Sequence, residues 1–300
     1  MLDALTLDQV RTFIAVAEAG TFRAGAIRLS RAQSAVSHAI GNLEAELGLA
    51  LFDRSKYRTI LTPAGRTLLA EARAILIRID RLRARARGLG EGVEIELSLV
   101  VDVLFPLAAI GEALRDLHEA YPTVAVRLSV VPLGAPLAAL REGRCVLAIT
   151  VGEWFRDPRI EIEALSSLSF VAVAGSAHAL AQRSDVPLDS AKLADHLQIV
   201  LEDPSPLTEG QDFGVLSPGT WRVSGQDVKH CLILAGVGWG RLPLWLVERD
   251  LAEGRLIRLD ATALGRQGEA VMAGYLAHRT DVPLGPAARV FRAALLRCVD

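Results

Sequence analysis

Apolar positions mark out the elements of the chain before any other property is considered. Leu7, Val10, Phe13, Ile14 and Ala17 recur at three- and four-residue spacing, one stripe on a helix over about 6–18 that Gly20 ends. Thr21 stands where an N-cap belongs, and Phe22, Ala26 and Leu29 predict a short second helix. Ser30 and Arg31 make the turn into a third helix, whose Val36, Ile40, Leu43 and Leu47 share one side. Three helices with a tight second connection predict a helix-turn-helix. Thr62 as N-cap and Pro63 in first position open a long helix in which Leu68, Leu69, Ala72, Ile75, Leu76, Ile79 and Leu82 approximate a heptad seam. Gly88 and Gly90 end it. So exposed a helix calls for a partner; a second copy of itself is the economical one, and its own C-terminal body is the alternative.

From residue 93 the period changes, and short apolar runs alternate with helical patterns, which predicts an α/β domain. Strands are expected at 95–101, 124–130 and 145–151, with helices at 106–120 and 136–141 between them. Further strands fall at 170–174, Gln198–Leu201, 221–223 and 271–277, and 227–235 reads as helix. The segment 236–243, Gly-Val-Gly-Trp-Gly-Arg-Leu-Pro, follows that helix and reads as a structural turn, not a dinucleotide fingerprint, with Trp239 in the core or toward a cleft.

Composition adds bounds. Three hundred residues, 51% hydrophobic and 23% charged, are ordinary for a folded protein of two domains. No apolar run is long enough for a membrane span and no basic flank precedes one, so a cytoplasmic protein without membrane contact is expected. Cys145, Cys231 and Cys298 show no metal-ligand spacing, which fits small buried thiols in a reducing compartment better than a redox pair. Charge is uneven: residues 1–90 carry 14 Arg and Lys against 8 Asp and Glu, while the whole chain is at −2, a basic head on an acidic body. With only 3 Lys beside 30 Arg, arginine abundance alone carries little weight.

Candidate chemistry lies on the third helix. Ser34, Ser37, His38 and Gly41 point away from the Val36 stripe, and Gln33 lies on the flank. Small and hydrogen-bonding residues at a helix N-terminus suit the major groove, where Gln pairs with adenine, and Ser37 and the first amides suit phosphates. A plain solvent-facing helix has the same composition. No G-x-S-x-G, H-E-x-x-H, P-loop or paired-carboxylate motif occurs and the six histidines are dispersed, so no enzyme is expected.

The order of these residues resembles the LysR-type regulators: Phe13-Ile14-Ala15-Val16-Ala17-Glu18-Ala19-Gly20-Thr21-Phe22, Gln33 with Val36-Ser37, Leu43-Glu44-Ala45-Glu46-Leu47-Gly48, Leu51-Phe52-Asp53-Arg54 and Leu61-Thr62-Pro63-Ala64-Gly65. The resemblance is sharp to about residue 80 and covers the chain more loosely beyond. It implies an N-terminal winged helix-turn-helix at 1–62, all-α but for the wing, a linker and dimerisation helix at 63–88, and an α/β effector-binding domain at 91–300. That domain would have two lobes like those of periplasmic binding proteins, lobe one at about 91–162 and 266–300 and lobe two at about 163–265. The implied function is sequence-specific transcription regulation by a homo-oligomer, dimeric through the linker helix or tetrameric, with double-stranded DNA and the transcription machinery as partners. A small-molecule effector, and no cofactor or metal, is implied. DNA contacts fall to Thr21, Arg31, Gln33, Ser34, Ser37 and His38, and to Arg54, Lys56 and Arg58 on the wing. The effector would sit between the lobes at strand C-terminal ends, near Val101, Asp102, Thr150, Val151, Glu202, Ser224, Gln226 and Asp227.

Three departures stand out. Gly25-Ala26 replaces the family's usual alanine pair, a helix-weakening change for which close packing on the third helix would compensate. Val146 stands where an aspartate is common, and the first-strand loop, 101–105, is shorter than is usual in the family, so pocket details do not transfer directly. Asp102 at a cleft would repel a carboxylate, unless an arginine or a backbone nest compensates, and so favour a neutral, amine-bearing or aromatic effector; the alternative is a capped structural residue. A solute-binding module without a DNA role is the alternative reading of the two lobes.

Overall fold

The computed structural model describes residues 5–53, 59–152, 157–181, 188–209 and 211–299. The chain divides into two compact units, 1–88 and 89–300.

The first unit begins with α1 (Leu7–Ala19), capped at Thr6 by a reciprocal box with Gln9 and ended by Gly20 in the left-handed region. Thr21 Oγ1 accepts the Ala24 N–H and starts α2 (Phe22–Arg28), and α3 (Gln33–Leu47) follows Ser30, itself at φ +52°. The hairpin β1 (Phe52–Asp53) and β2 (Ile60–Leu61) pairs antiparallel. Thr62 Oγ1 then accepts the Gly65 N–H at 2.9 Å and opens α4 (Pro63–Gly90). Val10, Phe13, Val16, Val36, Ile40, Leu43, Leu51 and Phe52 form the core, with Ala72 and Leu76 of α4 against it. Further along, Ile77 and Leu82 are exposed. A Cβ at Gly25 would lie 2.8 Å from Val16 Cγ2 and 2.9 Å from Val16 Cα. The glycine thus admits close contact with α1, not with the third helix as its sequence position led us to expect.

The second unit has a mixed sheet. Its first parallel group is β3 (Glu96–Asp102), β4 (Ala125–Val131) and β5 (Leu147–Val151), crossed by α5 (Leu107–Ala120) and α6 (Ala135–Arg141). The strand β6 (Ile160–Gly175) leaves this lobe, and α7 (Ser190–Ala194), β7 (Gln198–Leu201), β8 (Thr220–Val223), α8 (Gln226–Leu234), β9 (Trp239–Pro243), α9 (Leu244–Ala252) and β10 (Leu256–Arg258) build the second. Finally β11 (Glu269–Arg279) runs back antiparallel to β6, and α10 (Pro286–Val299) closes the first lobe against α5. The sheet order β4-β3-β5-β11-β6-β9-β7-β8, with β10 on β6, makes the long β6/β11 pair the two crossings between lobes. Glu94 fixes the return by accepting the N–H groups of Ala287 (2.9 Å) and Ala288 (3.1 Å) at the start of α10.

Two local expectations change. Part of the segment read as a turn, Trp239–Pro243, is a strand pairing with β6, and Trp239 is fully buried with Nε1 donating to Leu193 O and Ser217 Oγ. Of the thiols, Cys145 is buried and pushed up to about 12 by that burial, whereas Cys231 is exposed. Val146 packs against the first-lobe core. Among the described residues no helix is long and apolar enough to cross a membrane, and no cluster of His, Cys, Asp and Glu could hold a metal ion.

Candidate functional site

The polar face of α3 is presented by its buried stripe. With Val36, Ile40 and Leu43 packed inward, Gln33, Ser34 and His38 are exposed and Ser37 is half-buried. The N-cap of α3 is Ala32, which offers no side-chain acceptor, so the first-turn amides stay open to an anion. His38 Nδ1 lies 3.2 Å from Asn42 Nδ2. Arg31 pairs with Asp8 at 2.6 Å, and Thr21 caps α2. Glu18 is held below the usual carboxylate range by Arg73 on α4 and Arg28 on α2, at 3.0 and 2.8 Å. The wing cations Arg54, Lys56 and Arg58 lie outside the described residues.

In the second unit a cleft of about 790 Å³ lies between the lobes. Leu104 and Leu133, just beyond the C-terminal ends of β3 and β4, border one side; Val200, Leu201 and Glu202 of β7 and its exit, Lys229 of α8 and Arg241 of β9 border the other. Phe170 of β6 and Met272 of β11 complete an apolar floor. Leu133 has φ +57°, a conformation that costs a non-glycine residue about 1–2 kcal/mol. Side-chain hydrogen bonds join the lobes at two places among the described residues. Asp203 Oδ2 accepts the Gly134 N–H (3.0 Å) and the Thr208 hydroxyl (2.6 Å), while Trp245 Nε1 donates to Leu104 O at 3.2 Å.

Of the residues expected at an effector site, Glu202 lines this cleft. Val101 and Val151 have their side chains in the first-lobe core. Asp102, Thr150 and Gln226 are buried, and Asp102 Oδ2, Thr150 Oγ1 and both amide atoms of Gln226 have no hydrogen-bond partner among the described residues. Ser224 and Asp227 sit at the exit of β8 and the start of α8. Burial pushes the Asp102 carboxyl up to about 7, partly offset by the backbone of Leu104, Val151 and Leu133 and reinforced by Asp203. Asp102 is fully buried and does not itself line the cleft.

Sequence reasoning missed the cations. Lys229 is buried on α8 with its ammonium lowered to about 7, by burial first and the Arg241 charge second, while its neighbour Val228 is exposed. Burial also lowers Arg241, whose Nε makes no hydrogen bond among the described residues. Both lie on bare backbone: a Cβ at Gly240 would come 3.3 Å from Lys229 Cε, and one at Gly214 2.6 Å from Arg241 Nη1. The available signal was the glycine alternation of 236–240, which makes such room.

A winged helix-turn-helix followed by two α/β lobes around a ligand-sized cleft defines a DNA-binding regulator with an effector domain. Residues 7–66 match the bacterial regulatory helix-turn-helix proteins of the lysR family, and residues 90–298 match the LysR substrate binding domain. The chain belongs to the LysR family of transcriptional regulators. It is 34% identical over 257 residues to the probable HTH-type transcriptional regulator YhaJ of Escherichia coli, covering 84% of this chain and 85% of that one. It is 32% identical over 271 residues to the HTH-type transcriptional activator AllS of Klebsiella pneumoniae, covering 86% and 95%. Among solved structures, a Corynebacterium glutamicum OxyR cysteine mutant matches with 25% identity and TM-score 0.53 over 98% of this chain and 92% of that one. CrgA from Neisseria meningitidis, 24% identical with TM-score 0.52 over 98% of each, shares the fold. The chain is a DNA-binding transcription regulator with an effector-binding domain, not an enzyme, and the match over the head removes the reading as a solute-binding module alone.

Proposed function

We propose that α3 lies in the major groove, with Gln33, Ser34 and His38 toward base edges and Ser37, Thr21 and the first-turn amides on phosphates. The observation that carries this reading is the exposed polar face of α3 beside an N-terminus that no side chain caps. Arg31 adds a cation once Asp8 yields it, and Arg54, Lys56 and Arg58 would follow the backbone or minor groove by resemblance to the family. The inter-lobe cleft is the effector site, and ligand binding there changes the lobe arrangement held by Asp203 and Trp245.

Two copies pair through α4, whose Ile75 and Leu82 are exposed apolar side chains, and the pair reads a two-fold operator in the cytoplasm, beside the transcription machinery. Nuclease footprinting on the DNA upstream of the chain's own coding sequence tests this. Two protected half-sites related by a dyad, a whole number of helical turns apart, are expected; a single unpaired footprint, or none, would overturn it.

A further inference from the structure

We propose that the effector of this chain is a small organic acid, its carboxylate seated between Lys229 and Arg241 and its apolar part on Phe170, Leu133 and Met272. The proposal rests on the cleft being the effector site.

Lys229 is only 7% exposed and lines the cleft, and its ammonium makes no ion pair among the described residues. A buried ammonium without a counter-charge is strongly unfavourable, and a second cation nearby makes it more so. Arg241 is that second cation, its Nε buried and without a hydrogen-bond partner among the described residues. The described acidic residues around the cleft do not relieve them. Asp203 is occupied by Gly134, Ser205 and Thr208, Asp212 pairs with Arg222 at 2.8 Å, and Glu202 and Glu209 are exposed. The missing group is therefore an anion supplied from outside. A carboxylate accepts from an ammonium and a guanidinium together. An amine would add a third positive charge, and a neutral amide would leave both cations uncompensated. The apolar floor selects an acid with a hydrocarbon body over a compact inorganic anion.

Thermal unfolding of the full chain with benzoate, phenylacetate, hexanoate and inorganic phosphate, each organic acid beside its amide, is the first measurement. At least one acid should raise Tm, with its amide inert at ten times the concentration. The second uses variants. Lys229→Met, freed of a buried unpaired charge, should match or exceed the wild-type Tm without ligand, yet lose affinity for the acid at least tenfold by calorimetry; Arg241→Gln should show a similar loss. Stabilisation by no acid, by amide equally, or by phosphate alone would overturn the proposal, as would unchanged acid affinity in both variants. Affinity for the upstream DNA, measured in parallel, separates the two levels. An acid that binds without altering it upholds the ligand class and removes the effector reading, whereas an amide or amine that binds and alters it does the reverse.

Discussion

Glu44 Oε1 accepts the backbone N–H of Leu51 at 2.8 Å, and that of Phe52 at 3.2 Å, so one carboxylate on α3 fixes the base of the wing. Both residues are buried, and without Glu44 their amides would lose this acceptor. Glu44→Ala should destabilise the head by about 1–3 kcal/mol. Hydrogen exchange resolved at Leu51 and Phe52 checks it: protection should fall at these amides before it falls along α1.

Gly25 makes the opposite prediction from helix propensity. Alanine in an exposed helix would gain roughly 0.5–1 kcal/mol, but here its methyl would press on the Val16 backbone and side chain. Gly25→Ala should lower head stability by about 1–3 kcal/mol, as overpacking does. A higher unfolding midpoint for the variant would show that α1 and α2 separate without cost.

The Asp102 carboxyl gives the second unit a pH dependence. Folding raises it from the ordinary 3.8 to about 7, so between those values the folded chain holds a proton that the unfolded chain releases. Stability from this site is complete below about pH 4 and falls as pH rises to 7, by about 4 kcal/mol at full extent. Asp102→Asn should remove that slope and be the more stable form at pH 8. Chemical denaturation at pH 5 and pH 8 decides it; identical slopes for both proteins would mean that the carboxyl titrates normally.

The Asp203 contact with Gly134 predicts how the lobes are restrained. Asp203→Ala leaves the Gly134 and Ser205 amides and the Thr208 hydroxyl without their acceptor. Exchange at Gly134 should accelerate by at least tenfold while amides within β3 keep their protection, since only the clasp between lobes is lost. Uniform acceleration through both lobes would instead make Asp203 part of global stability.

Much of this was legible in the sequence, for reasons visible at particular residues. Gly20, Thr21, Thr62 and Pro63 bound their helices because caps act locally, and the Val36 stripe fixes which face of α3 is free. Local rules failed where distant partners decide. The segment Trp239–Pro243 becomes a strand through pairing with β6, which overrides its glycines, and the 16-residue β6 exceeds any window because it serves both lobes. Lys229 was invisible for the same reason. A lysine on a short helix reads as solvent-facing, yet here Val228 faces out and Lys229 faces the cleft.

The central claim, that the exposed face of α3 reads DNA sequence, is tested most directly by fluorescence anisotropy. The full chain would be titrated with a duplex from its own upstream region and with a scrambled duplex at one salt concentration. Wild type should prefer the upstream duplex by about 10³-fold or more. Gln33→Ala/Ser34→Ala should bind both duplexes about equally, at the affinity wild type shows for the scrambled one. Retention of the full preference by that variant, with an unchanged unfolding midpoint, would contradict the account.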